Sequence, residues 1–163
     1  NNIFKSYKLI GNKSLLSDLG KKQDIGFVVA IGDPKIRELI YSNAIASKLY
    51  PIKVISKNSI ISQTSKIAEG SIIKHGVIIG PNVDIGENTI IDNSSIIEIN
   101  SQIGPNCTIE SSVLLNGDNI IKKNVLIRFR STISSNVCIG KNQLIKENSF
   151  IKSDLQDISK NKY

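Results

Sequence analysis

From Ile55 onward an aliphatic residue returns at every sixth position, through Ile61, Ile67 and Ile73 to Ile151. The series holds for 17 consecutive positions, with Leu115 the one Leu among isoleucines. Neither a 3.6-residue helix nor a heptad coiled coil produces a strict period of six. Three residues after each aliphatic stands Asn, Gly or Asp in 13 of the 17 cases. These are the residues that tolerate positive φ, so they predict a sharp backbone corner in every hexad. The position after the corner is Ser, Thr, Val or Cys in 14 of the first 16 hexads, the exceptions being Asn119 and Gln143. A small side chain there fits inside, beside the bend. Short strand, corner, short strand, with every third strand stacked on the first, predicts a mainly β protein, a left-handed parallel β-helix. Three hexads make one coil, and residues 55–151 make about five coils. At a strand spacing of about 4.8 Å the prism is about 25 Å long.

The residue before each inward aliphatic points outward, and the three faces differ. Face A carries Ile72, Ile90, Thr108, Leu126 and Leu144; face B carries Ile60, Ile78, Ile96, Leu114, Thr132 and Phe150. Face C carries Lys66, Asp84, Gln102, Ile120 and Cys138. Two apolar faces predict partner surfaces. They fit a homotrimer that buries faces A and B around a three-fold axis.

The first 54 residues do not follow the hexad. Residues 27–31 read as a buried strand between Gly26 and Gly32, and Asp33-Pro34 as N-cap and first helical residue. Ile36, Leu39, Ile40 and Ala44 are expected to form the buried face of a helix that ends near Leu49. A strand at 52–55 then leads into the β-helix. A weak strand at 7–10 and a short helix at 14–19 precede it. This partial α/β unit reads as the second half of a nucleotide-type fold whose first βαβ unit and glycine-rich phosphate loop are absent from this chain. The expected organisation is a partial α/β domain at 1–54, a β-helix at 55–154 and a tail at 155–163.

Composition narrows the chemistry. With 40% hydrophobic residues the chain can build a core, which argues against disorder. No segment is apolar enough for a membrane helix or a signal peptide, and two cysteines, Cys107 and Cys138, make no disulfide framework. A cytoplasmic protein is expected. The single histidine, His75, excludes multi-histidine zinc sites within one chain, and no metal is expected. Of the net charge of +7, the part from Asn116 onward carries +5. This suits either a coenzyme carrying phosphates or an ordinary solvated lysine-rich surface; without an aromatic platform or a reading helix it does not suit nucleic acid.

The run VVAIGDPKIRELI at 28–40, followed by an unbroken hexapeptide helix, resembles the bacterial sialic acid O-acetyltransferase group. That group includes N-acetyltransferases of nucleotide-linked amino sugars such as bacillosamine and perosamine. The resemblance spans residues 7–158. It implies a trimer, acetyl-CoA lying along the coils between subunits, and a sugar nucleotide held by the N-terminal part. It places Ser112, Arg128, Arg130 and Lys146 at the coenzyme, where the group carries glycines at some of these corners, and Glu98 and Asn100 at the substrate. The group's histidine base falls at Ile99, beside an acidic neighbour that is kept as Glu98, and a second histidine of the group falls at Thr108. The C-terminal Gly-Asn/Val-Pro-Ala segment has no counterpart.

Ile99 cannot remove a proton. A sugar hydroxyl needs a general base, whose help is worth about 10²–10⁴-fold. An amine with a pKa near 8, like an α-amino group, is partly neutral at pH 7 and attacks with only positioning and an oxyanion donor. Glu98 and His75 are the remaining candidates for a base. His75 belongs to the corner between faces A and B, and Ile99 to the corner between B and C. The sequence therefore favours N-acetylation of an amino sugar, with a catalytically inactive trimeric β-helix serving as a binding or scaffold protein as the alternative.

Overall fold

The computed structural model of the protein describes residues 11–12, 15–22 and 24–159. The strand expected at 7–10 lies outside the described residues, as do Lys160 and Lys162 of the basic cluster. Residues 54–151 form a three-sided parallel solenoid, two sheets of six strands and one of five. Each strand is two residues long and pairs with the strand three before and three after it. The register is strict: on face A, Val54, Ile72, Ile90, Thr108, Leu126 and Leu144 stack in one column. The inward aliphatics from Ile73 to Ile145 are all at most 3% exposed and form one continuous core.

The corners are where they were expected. Every sixth residue from Gly70 to Asn148 has φ between +53° and +75°, including Ser94, Ser112 and Arg130. Asn58 and Asp154 do not adopt this bend; they lie in the end turns, which stack on one neighbour only. The small residues beside the bends solve a hydrogen-bonding problem. Ser95 Oγ donates to the Glu110 carbonyl (2.7 Å) and accepts from the Val113 N–H (3.2 Å) in the next coil. Ser71, Thr89 and Ser131 repeat the pattern with the same spacing. Cys107 fills one such slot with its thiol on the Lys122 carbonyl, and burial pushes its pKa up to about 12, so it is an inert core residue.

Along the edge between faces C and A the corner asparagines form a ladder. Asn88 donates to Asn106, Asn106 to Asn124, Asn124 to Asn142, and Asn142 to the Ile158 carbonyl. The next corner down is Gly70, so Asn88 Oδ1 receives no donor from below and stays buried and unpaired. Tyr41 occupies that space, its ring 2.6 Å from where a Gly70 Cβ would stand. At the other end residues 155–158 add a further rung: Leu155 pairs with Ile139, and Asp157 accepts from the Lys141 N–H.

The N-terminal part wraps this prism. Helix α1 (Leu16–Leu19) is followed by strand β1 (Gly26–Phe27), helix α2 (Pro34–Ala46) and strand β2 (Tyr50–Pro51). Strand β1 pairs with β2 in parallel. The Asp33 cap holds as read, its carboxylate accepting from the Lys35 and Ile36 N–H groups. The strand is shorter than 27–31, and α2 ends at Ala46 rather than near Leu49. The expected apolar face of α2 is corrected. Ile36 and Leu39 point outward at 52% and 59% exposure, while Pro34, Arg37, Tyr41 and Ala44 are buried against the solenoid. Hydrogen bonding decides the rotation, because Arg37 finds acceptors that an isoleucine could not use. Its Nε donates to the Asn88 carbonyl, Nη2 to the Cys107 carbonyl, and Nη1 to the Ile31 and Gly32 carbonyls and to Thr108 Oγ1.

This packing also corrects the reading of face A as a surface free for a partner. Ile72, Ile90 and Thr108 are buried by the chain's own N-terminal part, and Thr108 Oγ1 also donates to the Gly32 carbonyl. Val54 at the lower end and Leu144 near the upper end, at 42% and 53%, stay exposed. Face B stays open, with Ile60, Ile78 and Phe150 all exposed. No helix among the described residues is long and apolar enough to cross a membrane.

Candidate functional site

The N-terminal part meets the edge between faces A and B in a cavity of about 520 Å³, within the range of small-molecule sites. Ala30 and Gly32 form one wall. Ile72, Ile90 and Thr108 of face A form the floor, and the corner residues Lys74, Asp92, Glu110, Ser111, Ser112, Phe129 and Arg130 form the opposite wall. Arg37 lies behind the floor and fixes it through Thr108 and the 31–32 carbonyls. Burial lowers its pKa to about 10, which leaves it charged at neutral pH.

The charges along this edge are ordered by the 18-residue repeat. Lys74, Asp92, Glu110, Arg128 and Lys146 occupy one column, one coil apart. Lys74 pairs with Asp92 at 3.0 Å and Glu110 with Arg128 at 2.8 Å. The second Glu110 oxygen accepts from the Phe129 N–H, and the hydrogen-bonded carboxylate holds the Arg128 pKa above its usual value. Among the described residues neither Arg130 nor Lys146 has a side-chain hydrogen bond or ion pair. In the neighbouring corner column the Asn93 N–H is bonded to Asp92 and the Phe129 N–H to Glu110. The Ser111 N–H between them has no acceptor among the described residues.

The residues singled out in the sequence divide between two edges. Ser112, Arg128, Arg130, Lys146 and His75 all lie on the A–B edge, and Ser112 and Arg130 line the cavity. Glu98, Ile99 and Asn100 lie on the B–C edge, across face B. One chain does not bring the two groups together. Ile99 projects from its corner at 42% exposure, its methyl beside Gly117. Asn100 is a rung of a second ladder, accepting from Asn82 and donating to Asp118, and Glu98 is exposed. His75 is exposed two coils below Ser111, its Nδ1 3.1 Å from Asn58 Nδ2. Arg37, Asp92, Glu110 and Phe129 were not picked out from the sequence. Comparing residues 18 apart exposes the last three, because it reveals two adjacent acids flanked by bases in one column and the one aromatic in the next. No group of residues suited to a metal ion occurs among the described residues.

No family model matches the chain, and no curated protein matches it. Solved structures do. The acetyltransferase domain of PglB from Neisseria gonorrhoeae FA1090, in complex with acetyl coenzyme A, superposes with a TM-score of 0.69 at 20% identity, over 94% of this chain and 74% of that one. PerB from Caulobacter crescentus, in complex with CoA and GDP-perosamine, superposes with a TM-score of 0.59 at 17% identity, over 90% of this chain and 74% of that one. The chain therefore has the fold of these acetyltransferases: a parallel β-solenoid of about five turns preceded by a small α/β segment.

Proposed function

We propose that the protein transfers an acetyl group from acetyl-CoA to the amine of a nucleotide-linked amino sugar. The observation that carries this reading is the A–B edge cavity, which sets an unpaired N–H, two serines and a free cation beside a wall built by the N-terminal part. The two structures compared hold CoA or acetyl coenzyme A, and one of them holds GDP-perosamine, an amino-sugar nucleotide. In the reaction the amine nitrogen attacks the thioester carbonyl, the C–S bond breaks, and the amine proton leaves with the coenzyme thiolate. The Ser111 N–H is available to the oxyanion that develops on the carbonyl oxygen. Ile99 offers no base, which disfavours hydroxyl acceptors and leaves amines, whose neutral fraction needs none. Glu98 and Asn100 contribute only if another copy presents its B–C edge. Open face B supports such an assembly, and a homotrimer is the arrangement we favour. We place the protein in the cytoplasm, where both substrates would be met.

The test incubates the protein with acetyl-CoA and a panel of nucleotide-linked amino sugars and follows release of coenzyme thiol. Release that requires both substrates is expected. No release with any amine acceptor, at saturating acetyl-CoA, refutes the enzyme reading in favour of a binding or scaffold protein.

A further inference from the structure

We propose that the corner Phe129-Arg130 is the nucleotide-recognition end of the A–B cavity, where the phenyl ring stacks on the base and the guanidinium takes the diphosphate. This rests on the acetyl-transfer reading and deepens it, because it moves Arg130 from the coenzyme to the acceptor. Three observations lead there. First, Arg130 is bent to φ +57° in a row of left-handed corners that are otherwise Gly, Asn, Asp or Ser. A long side chain at that bend is strained, and such strain marks a site where the side chain is wanted. Second, its guanidinium has no partner among the described residues, although it lines the cavity. The neighbouring cations Lys74 and Arg128 are each matched to a carboxylate. A fork of free donors in a cavity suits a phosphate. Third, Phe129 is 41% exposed in a corner column whose other members are Lys57, His75, Asn93, Ser111 and Glu147. An exposed ring beside a free arginine is a platform for a base with its phosphates.

The cavity also has direction. Asp92 lies two coils below Arg130, about 10 Å along the axis. Asp92, whose second carboxylate oxygen has no partner among the described residues, can accept from the amine N–H at the lower end, and Arg130 favours phosphate at the upper end. An amino sugar joined to a nucleoside diphosphate presents its amine and diphosphate in this order, with Ser111 beside the amine. Coenzyme A carries a nucleotide too, so the same chemistry has two sources, and the test separates them.

Isothermal titration of the full chain with UDP, GDP and coenzyme A, each alone, decides. Two variants borrow residues that the same corner uses in adjoining coils, so the fold is kept: Arg130→Asn, matching Asn148, and Phe129→Ser, matching Ser111. UDP or GDP is expected to bind, more weakly by about tenfold or more in Arg130→Asn and by about tenfold in Phe129→Ser. Coenzyme A affinity is expected to stay unchanged, and Arg130→Asn to melt no lower than the unsubstituted chain. Three results overturn the proposal: no nucleoside diphosphate binding at millimolar concentration, unchanged UDP and GDP affinity in both variants, or loss of coenzyme A affinity instead. Because the readout is binding without turnover, the proposal fails or stands separately from acetyl transfer.

Discussion

Arg37 determines whether the candidate cavity has a second wall. Replacing it with Met keeps most of the volume and removes all five hydrogen bonds to the Asn88, Ile31, Gly32 and Cys107 carbonyls and to Thr108. The Cys107 carbonyl keeps the Ile90 N–H and the Gly32 carbonyl keeps Thr108. The Asn88 and Ile31 carbonyls are left with no donor among the described residues. An unpaired buried carbonyl costs about 1–3 kcal/mol, in full for the buried Asn88 carbonyl and in part for the half-buried Ile31 carbonyl. The same change relieves the desolvation of a buried charge, which puts the net effect at the lower end, about 2–3 kcal/mol. The cost falls on docking of the N-terminal part, because a solenoid's coils are stabilised by their neighbours and not by what wraps them. At 1.4 kcal/mol per factor of ten, the undocked population rises about 30- to 150-fold. Hydrogen exchange measured by mass spectrometry reads this directly. Amides of α2 are expected to exchange faster by that factor, and those of the coils around Ile127 to stay as protected as before. Equal acceleration in both regions, or none in α2, would refute this account of Arg37.

The asparagine ladder makes a second prediction. Asn106→Ala removes the rung between Asn88 and Asn124 and the bond to the Pro34 carbonyl, and puts alanine at φ +61°. We expect a loss of about 3 kcal/mol in denaturant unfolding, of which Asn106→Gly should recover about 1 kcal/mol by suiting the bend. The last rung is acid-sensitive. The Lys141 N–H and then the Lys122 ammonium hold the Asp157 pKa below its ordinary 3.8. Its contribution is therefore complete above about pH 4 and is lost as pH falls below that value. Faster exchange of the Lys141 amide in acid, reproduced at neutral pH by Asp157→Asn, is the expected sign. If copies associate through face B, Ile78→Asp should reduce the assembly to monomers in sedimentation velocity, and an unchanged sedimentation coefficient would place the contact elsewhere.

The solenoid was legible because its signal is local and redundant. The inward column, the bends and the small slots each repeat every six residues, and the structure keeps all three. The N-terminal part was less legible, since α2 is turned by contacts between residues about 50 to 70 positions apart. Arg37 reaching Asn88 and Cys107 outweighs the apolar pattern of Ile36 and Leu39. The same contacts cover half of face A, which no hexad pattern encodes. Of the residues lining the candidate cavity, Ser112 was visible as a bulkier residue where the resembled group carries glycine, and Arg130 as one of the basic residues that gather after Asn116. Asp92, Glu110 and Phe129 become visible only when residues 18 apart are compared.

Calorimetric titration of the full chain with acetyl-CoA tests the central claim most directly. Saturable binding of one coenzyme per chain, undiminished when a nucleotide-linked amino sugar is already bound, is what the account predicts. Absence of any heat of binding at millimolar acetyl-CoA, with or without the sugar nucleotide, would contradict it and leave a solenoid that binds without catalysing.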